Sequence, residues 1–133
     1  MKLTFLAALL SLTSNVYAKT LYLDCLYQQC VAKTQCSDKR EIALHFLVDT
    51  TNQKAWRLAN PAARQVKLAM DDKNRYNLID ETKDGTIEVT TIDSRMHSSH
   101  SIHPMSTRPA GQQVRQYYGT CGERKMFAGL DLK

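Results

Sequence analysis

The stretch IALHFLVDTTNQKAWRL, residues 42–58, decides the fold class. Ile42, Leu44, Phe46 and Val48 recur at every second position against Ala43, His45 and Leu47. That period belongs to a half-buried strand rather than a helix. The run stops at Asp49-Thr50-Thr51-Asn52, a turn composition, and apolar residues resume at Trp56 and Leu58. Two strands joined by a short polar turn make an antiparallel hairpin.

The same pattern repeats outward in both directions. Before it, Leu21 to Tyr27 alternates weakly and is rich in β-formers. After it come Val66, Leu68 and Met70, then Tyr76 and Leu78, then Ile87 and Val89, then Val114 leading through Gln116 to Tyr118. Asn60-Pro61, Asp71-Asp72-Lys73-Asn74 and Asp84-Gly85 punctuate these runs, the last a tight-turn dipeptide. No long segment shows a helical period. With the histidine segment 97–103 counted, the pattern predicts an all-β, antiparallel up-and-down meander of about eight strands closing into a small barrel, with a two-sheet sandwich as the alternative. The period-two argument places Ile42, Leu44, Phe46, Val48, Trp56, Leu68, Leu78 and Val89 in the core.

Residues 1–18 read as a signal peptide. Met1-Lys2 is a short basic start, Leu3 to Leu12 an apolar run, and Val16-Tyr17-Ala18 ends with small residues at the positions a signal peptidase reads. The run is about half the roughly 20 residues a membrane-spanning helix needs, so no membrane anchor is expected. The expected organisation is therefore a signal peptide (1–18), a single β-domain (19–121) and a C-terminal tail (122–133), in a periplasmic or secreted protein.

Charge sets a further bound. The chain carries +5 formally, and removing Lys2, the only charged residue of the signal segment, leaves +4. The densest basic groups, Lys39-Arg40 and Arg124-Lys125, each lie beside a glutamate and read as solvated surface. That is not the clustered footprint of a nucleic-acid binder.

Four cysteines, Cys25, Cys30, Cys36 and Cys121, form an even set in a small chain bound for an oxidising compartment, which points to two disulfides. A zinc site is the rival, but Cys25-x4-Cys30-x5-Cys36 is wider than zinc-knuckle spacing and the fourth sulfur is remote. Of the three connectivities, barrel closure favours Cys25 with Cys121, because it places the first and last strands side by side. Cys30 with Cys36 then clamps a short connection.

The segment RMHSSHSIHPM, residues 95–105, sets three of the chain's four histidines between two methionines. On a strand, His97 and His103 share one face about 20 Å apart, while His100 points the other way with Ile102, toward the interior. Only a curled loop would bring all three imidazoles to one metal ion. Imidazole and thioether together suit copper, so His97, His100, His103, Met96 and Met105 are the candidate metal residues, with zinc as a second choice. A structural reading, a polar strand with one buried histidine and two methionines filling gaps, stands beside it.

Nucleophile-elbow, phosphate-cradling, dinucleotide and metalloprotease signatures are absent from the sequence, so the chain is not read as an enzyme. Carboxylates such as Asp24, Asp93 and Glu88 could pair with a histidine in space, but no motif brings them to one. Asp49, Asp71, Asp72, Glu81 and Asp84 read as turn residues, and Arg95 as surface.

Leu23-Asp24-Cys25 just after the signal site, Phe46-Leu47-Val48-Asp49, and Tyr117-Tyr118-Gly119-Thr120-Cys121 near the end resemble small exported proteins of Gram-negative bacteria. The likeness covers the mature chain in layout, departs from it at the Met/His segment, and implies no activity, cofactor or catalytic residue.

The functional expectation is a small, disulfide-stapled binding protein without a cofactor. Its partner would be an envelope protein, as for inhibitors and immunity factors, or a small apolar ligand at a barrel mouth. The alternative is periplasmic copper or zinc binding through residues 96–105. Candidate surfaces are Asn60 to Gln65, His97 to Arg108, and Arg108-Pro109-Ala110-Gly111.

Overall fold

In the computed structural model, residues 19–31, 36, 41–59, 62–105 and 114–124 are described. The hairpin read from residues 42–58 forms β2 (Ile42–Asp49) and β3 (Lys54–Leu58), paired with Val48 opposite Ala55. Around it lie β1 (Thr20–Val31), β4 (Arg64–Met70), β5 (Tyr76–Glu81), β6 (Ile87–Ile92), β7 (His97–His103) and β8 (Arg115–Arg124). Every strand pairs antiparallel with its sequence neighbour, and β1 pairs with β8, so the sheet closes into an eight-stranded barrel rather than a sandwich. Among the described residues no helix is long and apolar enough to cross a membrane. The expected signal segment lies outside the described residues. The strand β8 runs on through Gly122, Glu123 and Arg124, so the β-domain extends past the expected boundary at 121.

The three short turns at one end share a single device. Asp49 Oδ1 accepts the N–H groups of Thr51 and Asn52, Asp71 Oδ1 those of Lys73 and Arg75, and Asp93 Oδ1 those of Arg95 and His97. A short carboxylate that captures nearby backbone donors sets such a turn locally. The backbone N–H of Asn52 for Asp49, and of Arg75 for Asp71, holds each carboxyl below its ordinary value. Near the close of each turn one residue, Gln53, Asn74 or Met96, takes a left-handed conformation. At the other end leave the connections 32–41, 59–63, 82–86 and 104–114, two of them much longer.

Both disulfides have the expected pairing. Cys25 is bonded to Cys121, with 3.9 Å between their Cα atoms, and Cys30 to Cys36. The first ties β1 to β8 at the seam of the barrel.

The core holds most of the expected residues. Leu44, Phe46, Val48 and Leu78 are buried with Leu21, Leu23, Cys25, Tyr27, Ala55, Val66 and Ile92; Ile42 and Leu68 are half-buried against them. Two expectations are overturned. Trp56 and Val89 are on the outer face, half-buried, because the register puts Ala55 and Arg57 of β3, and Glu88, Thr90 and Ile92 of β6, inside. The apolar residues lost from the interior are replaced by charged ones. Leu47 goes the opposite way: it lies on the outer face between Tyr22 and Trp56 yet is buried.

Candidate functional site

The barrel interior changes character along its axis. Near the tight-turn end it is apolar. Two residues further toward the loop end, Ala55 gives way to Arg57, Leu78 to Asp80, and Ile92 to Thr90 and then Glu88. Alternation turns these side chains inward from β3, β5 and β6, where they meet Arg64 of β4 and His100 of β7. The Nη1 atom of Arg57 is 3.1 Å from Asp80 Oδ2 and also donates to Glu88 Oε2. Arg64 Nη2 donates to the same Asp80 oxygen at 2.5 Å. Asp80 is buried and Glu88 nearly so, whereas Arg64 reaches the mouth with half its side chain exposed.

His100 is fully enclosed. Its Nδ1 lies 2.9 Å from Thr90 Oγ1, and its ring packs against Tyr27 and Tyr117 at centroid distances of 5.6 and 6.2 Å. Its Nε2 faces Glu88 Oε2 at 3.7 Å, too long for a hydrogen bond. Burial, reinforced by the Arg57 guanidinium and opposed by Asp80, lowers its pKa from 6.5 to about 4. The imidazole is therefore neutral at pH 7, and the Glu88 contact is not an ion pair, since that carboxylate is already held by Arg57. Beside it Tyr27 bonds to Ser98 Oγ at 2.8 Å, and Ser98 Oγ donates to the carbonyl of Thr91 at 3.0 Å. Ser98 having used its hydrogen, the Tyr27 hydroxyl is the donor. Burial raises the Tyr27 phenol above 10.0, with the Ser98 bond pulling the other way.

Two guanidinium groups thus face two carboxylates around a neutral imidazole. The arrangement is charge-balanced, and it cross-links five strands just below the loops. Charged groups inside a barrel generally cost more than apolar fill of the same volume. Here they join side chains of β3, β4, β5 and β6 to one another beneath the loops.

The structure separates the residues expected to share a metal. His97 and His103 are exposed on the outer face and His100 is inside. Met96 sits in the β6–β7 turn, partly buried against the core. Met105 lies over Gly85 at the loop end, where a Cβ on Gly85 would come 2.6 Å from its sulfur. Among the described residues no three His, Cys, Asp or Glu side chains are grouped to hold a metal ion. The three carboxylates singled out do each meet a histidine: Glu88 as above, Asp24 with His45 at 2.8 Å, and Asp93 with His97 at 3.3 Å. Arg95 is exposed, as expected.

Arg57 and Asp80 were not expected in any site, and Arg64 only as part of the candidate surface 60–65. Their signal is faint: a charge in the middle of an otherwise apolar run, as in Trp56-Arg57-Leu58 and Leu78-Ile79-Asp80, shows that one phase of the strand is polar without saying which phase faces in.

Above the cluster, exposed apolar side chains form an arc along one side of the loop end, on the neighbouring strands β6, β7, β8 and β1. Val31 closes β1, Ile87 opens β6, Met105 follows β7 and Val114 precedes β8, each 43% to 58% exposed. Residues 62–65 of one candidate surface and 103–105 of another are at this end, where Ala62, Ala63, Arg64 and Gln65 are exposed; His97 is at the opposite end of β7. Asn60, Pro61 and residues 106–111 lie outside the described residues. The chain matches no family model, no curated protein and no solved structure.

Proposed function

We propose that this protein is an exported, disulfide-stapled binding protein that holds a protein partner of the cell envelope against the loop end of its barrel, as an inhibitor or immunity factor does. The observation that carries the reading is the arc of Val31, Ile87, Met105 and Val114 above a charge-paired floor. Exposed apolar side chains gathered at one end of a small domain are the usual core of a protein-binding patch. A floor already ordered before binding loses little entropy on association. The two disulfides fit an oxidising compartment, and the apolar run Leu3 to Leu12 supplies a route to it.

The test has two arms. Protein recovered from the periplasm of its native host should begin at Lys19; recovery only from the cytosol with Met1 intact would contradict export. Tagged wild-type protein should retain a specific envelope protein that Ile87→Asp and Val114→Asp lose, while Lys73→Asp at the opposite end retains it. Equal retention by all three variants would remove the loop end as the binding surface.

A further inference from the structure

The register of β1 against β8 shifts between Tyr27 and Gln29, a β-bulge. In a regular strand one of two consecutive side chains faces inward; here Gln28 and Gln29 are both exposed. The bulge opens a cleft of about 460 Å³ on the barrel wall across β7, β8 and β1, within the roughly 300 to 1,000 Å³ range of small-ligand sites. Two cross-strand rows build it. One is His97, Thr120 and Leu26; the other sets Tyr118 opposite Gln29.

The chemistry of the lining is specific. Tyr118 offers an aromatic face, 42% exposed, and Leu26 extends the apolar surface. Around them stand two amides, the Thr120 hydroxyl and an imidazole, and among the described residues no Lys, Arg, Asp or Glu is in the lining. Two of the polar groups are held in place. Gln28 Nε2 donates to Glu41 Oε1 at 3.2 Å, leaving its carbonyl oxygen as an acceptor, and Asp93 Oδ2 lies 3.3 Å from His97 Nδ1.

From this we infer a binding site for an uncharged oligosaccharide on the barrel wall formed by Gln28, Gln29, His97, Tyr118 and Thr120. A sugar ring presents an apolar C–H face, suited to stacking on Tyr118, and a rim of hydroxyls that both donate and accept, as the amide, hydroxyl and imidazole groups do. The Glu41 and Asp93 carboxylates behind Gln28 and His97 disfavour an anion, and a cation would lose hydration without a carboxylate in the described lining itself to receive it. An extended peptide is disfavoured as well, because a closed barrel offers no free strand edge for backbone pairing. The site is on the wall, apart from the loop-end rim, and does not depend on the protein partner proposed above.

Titrating isotope-labelled protein with maltotriose, and separately with the acetamido sugar chitotriose, reads the site directly by NMR. The expected result is saturable shifts of the amides of residues 26–29, 97–99 and 118–120 with at least one of the two sugars. In Tyr118→Ala, and in Gln29→Ala, affinity should fall about tenfold, or roughly 1.4 kcal/mol. Both side chains are exposed, so the remaining resonances report an intact fold. No shifts with either sugar up to ~10 mM, or shifts that persist unchanged in Tyr118→Ala, would overturn the proposal.

Discussion

His100 ties the interior of the barrel to pH. In the unfolded chain it takes a proton near pH 6.5, and in the folded chain only near 4. Between those values the unfolded state binds more protons, so folding stability falls as pH drops from about 6.5 to 4. At about 1.4 kcal/mol per pH unit, this one residue accounts for a loss of roughly 3 kcal/mol across the window. Denaturant melts of wild type and His100→Gln should diverge over that range, the variant having the flatter profile; parallel profiles would mean that the ring is not buried. Arg57 matters in another way. Removing it takes the guanidinium partner from the Glu88 carboxylate and leaves Asp80 to Arg64 alone, and Arg57→Ala should cost about 3 to 5 kcal/mol in the same melts. A cost under about 1 kcal/mol would show that water reaches both acids.

At the scale of elements, Phe46 and Val89 separate the strand faces. Phe46 is fully enclosed, so Phe46→Ala should lose about 3 to 5 kcal/mol, whereas Val89→Ala on the outer face should lose about 1 or less. Equal losses would contradict the register. The phase of β2 was legible in the sequence because Ile42, Leu44, Phe46 and Val48 outnumber and outsize the residues between them. The turns led by Asp49 and Asp71 were legible for a similar reason, since the carboxylate and the donors it captures are neighbours in the chain; the turn led by Asp93 was not read. In β3 and β6 the same rule chose the wrong face. It counted Trp56 and Val89 as inward, when Arg57 and Glu88 are the inward residues. What stabilises a charge inside is a partner on another strand, and Arg57 lies 23 residues from Asp80 and 31 from Glu88. No local pattern announces such a pairing. The two strands misread are therefore among those that carry the candidate site. The disulfides were legible once closure was assumed. In the loop-entropy model the Cys25–Cys121 bridge contributes up to about 4.7 kcal/mol and the Cys30–Cys36 ring about 2.4. Paired Cys→Ser variants should rank in that order.

The whole molecule rests on the seam between β1 and β8. The approach there is close: a Cβ on Gly119 would stand 2.0 Å from the carbonyl oxygen of Leu26, backbone that cannot step aside. Closure holds the apolar half of the interior, the charge-paired floor and the loop-end rim in one rigid frame, and the bulge in that seam opens the cleft on the wall. Without it, β1 and β8 would be the edges of an open sheet. Cys25 and Cys121, with Cα atoms 3.9 Å apart, form a narrow antiparallel pair, and pairs two residues away along both strands repeat that geometry. The most direct test is cross-strand proton NMR on the oxidised protein at pairs other than the bridged one. A closed barrel predicts short Hα–Hα contacts between Leu23 and Glu123 and between Tyr27 and Gly119, with slowly exchanging amides along both strands. A bridge at Cys25 and Cys121 with neither flanking contact, and rapid exchange along β1 and β8, would contradict it.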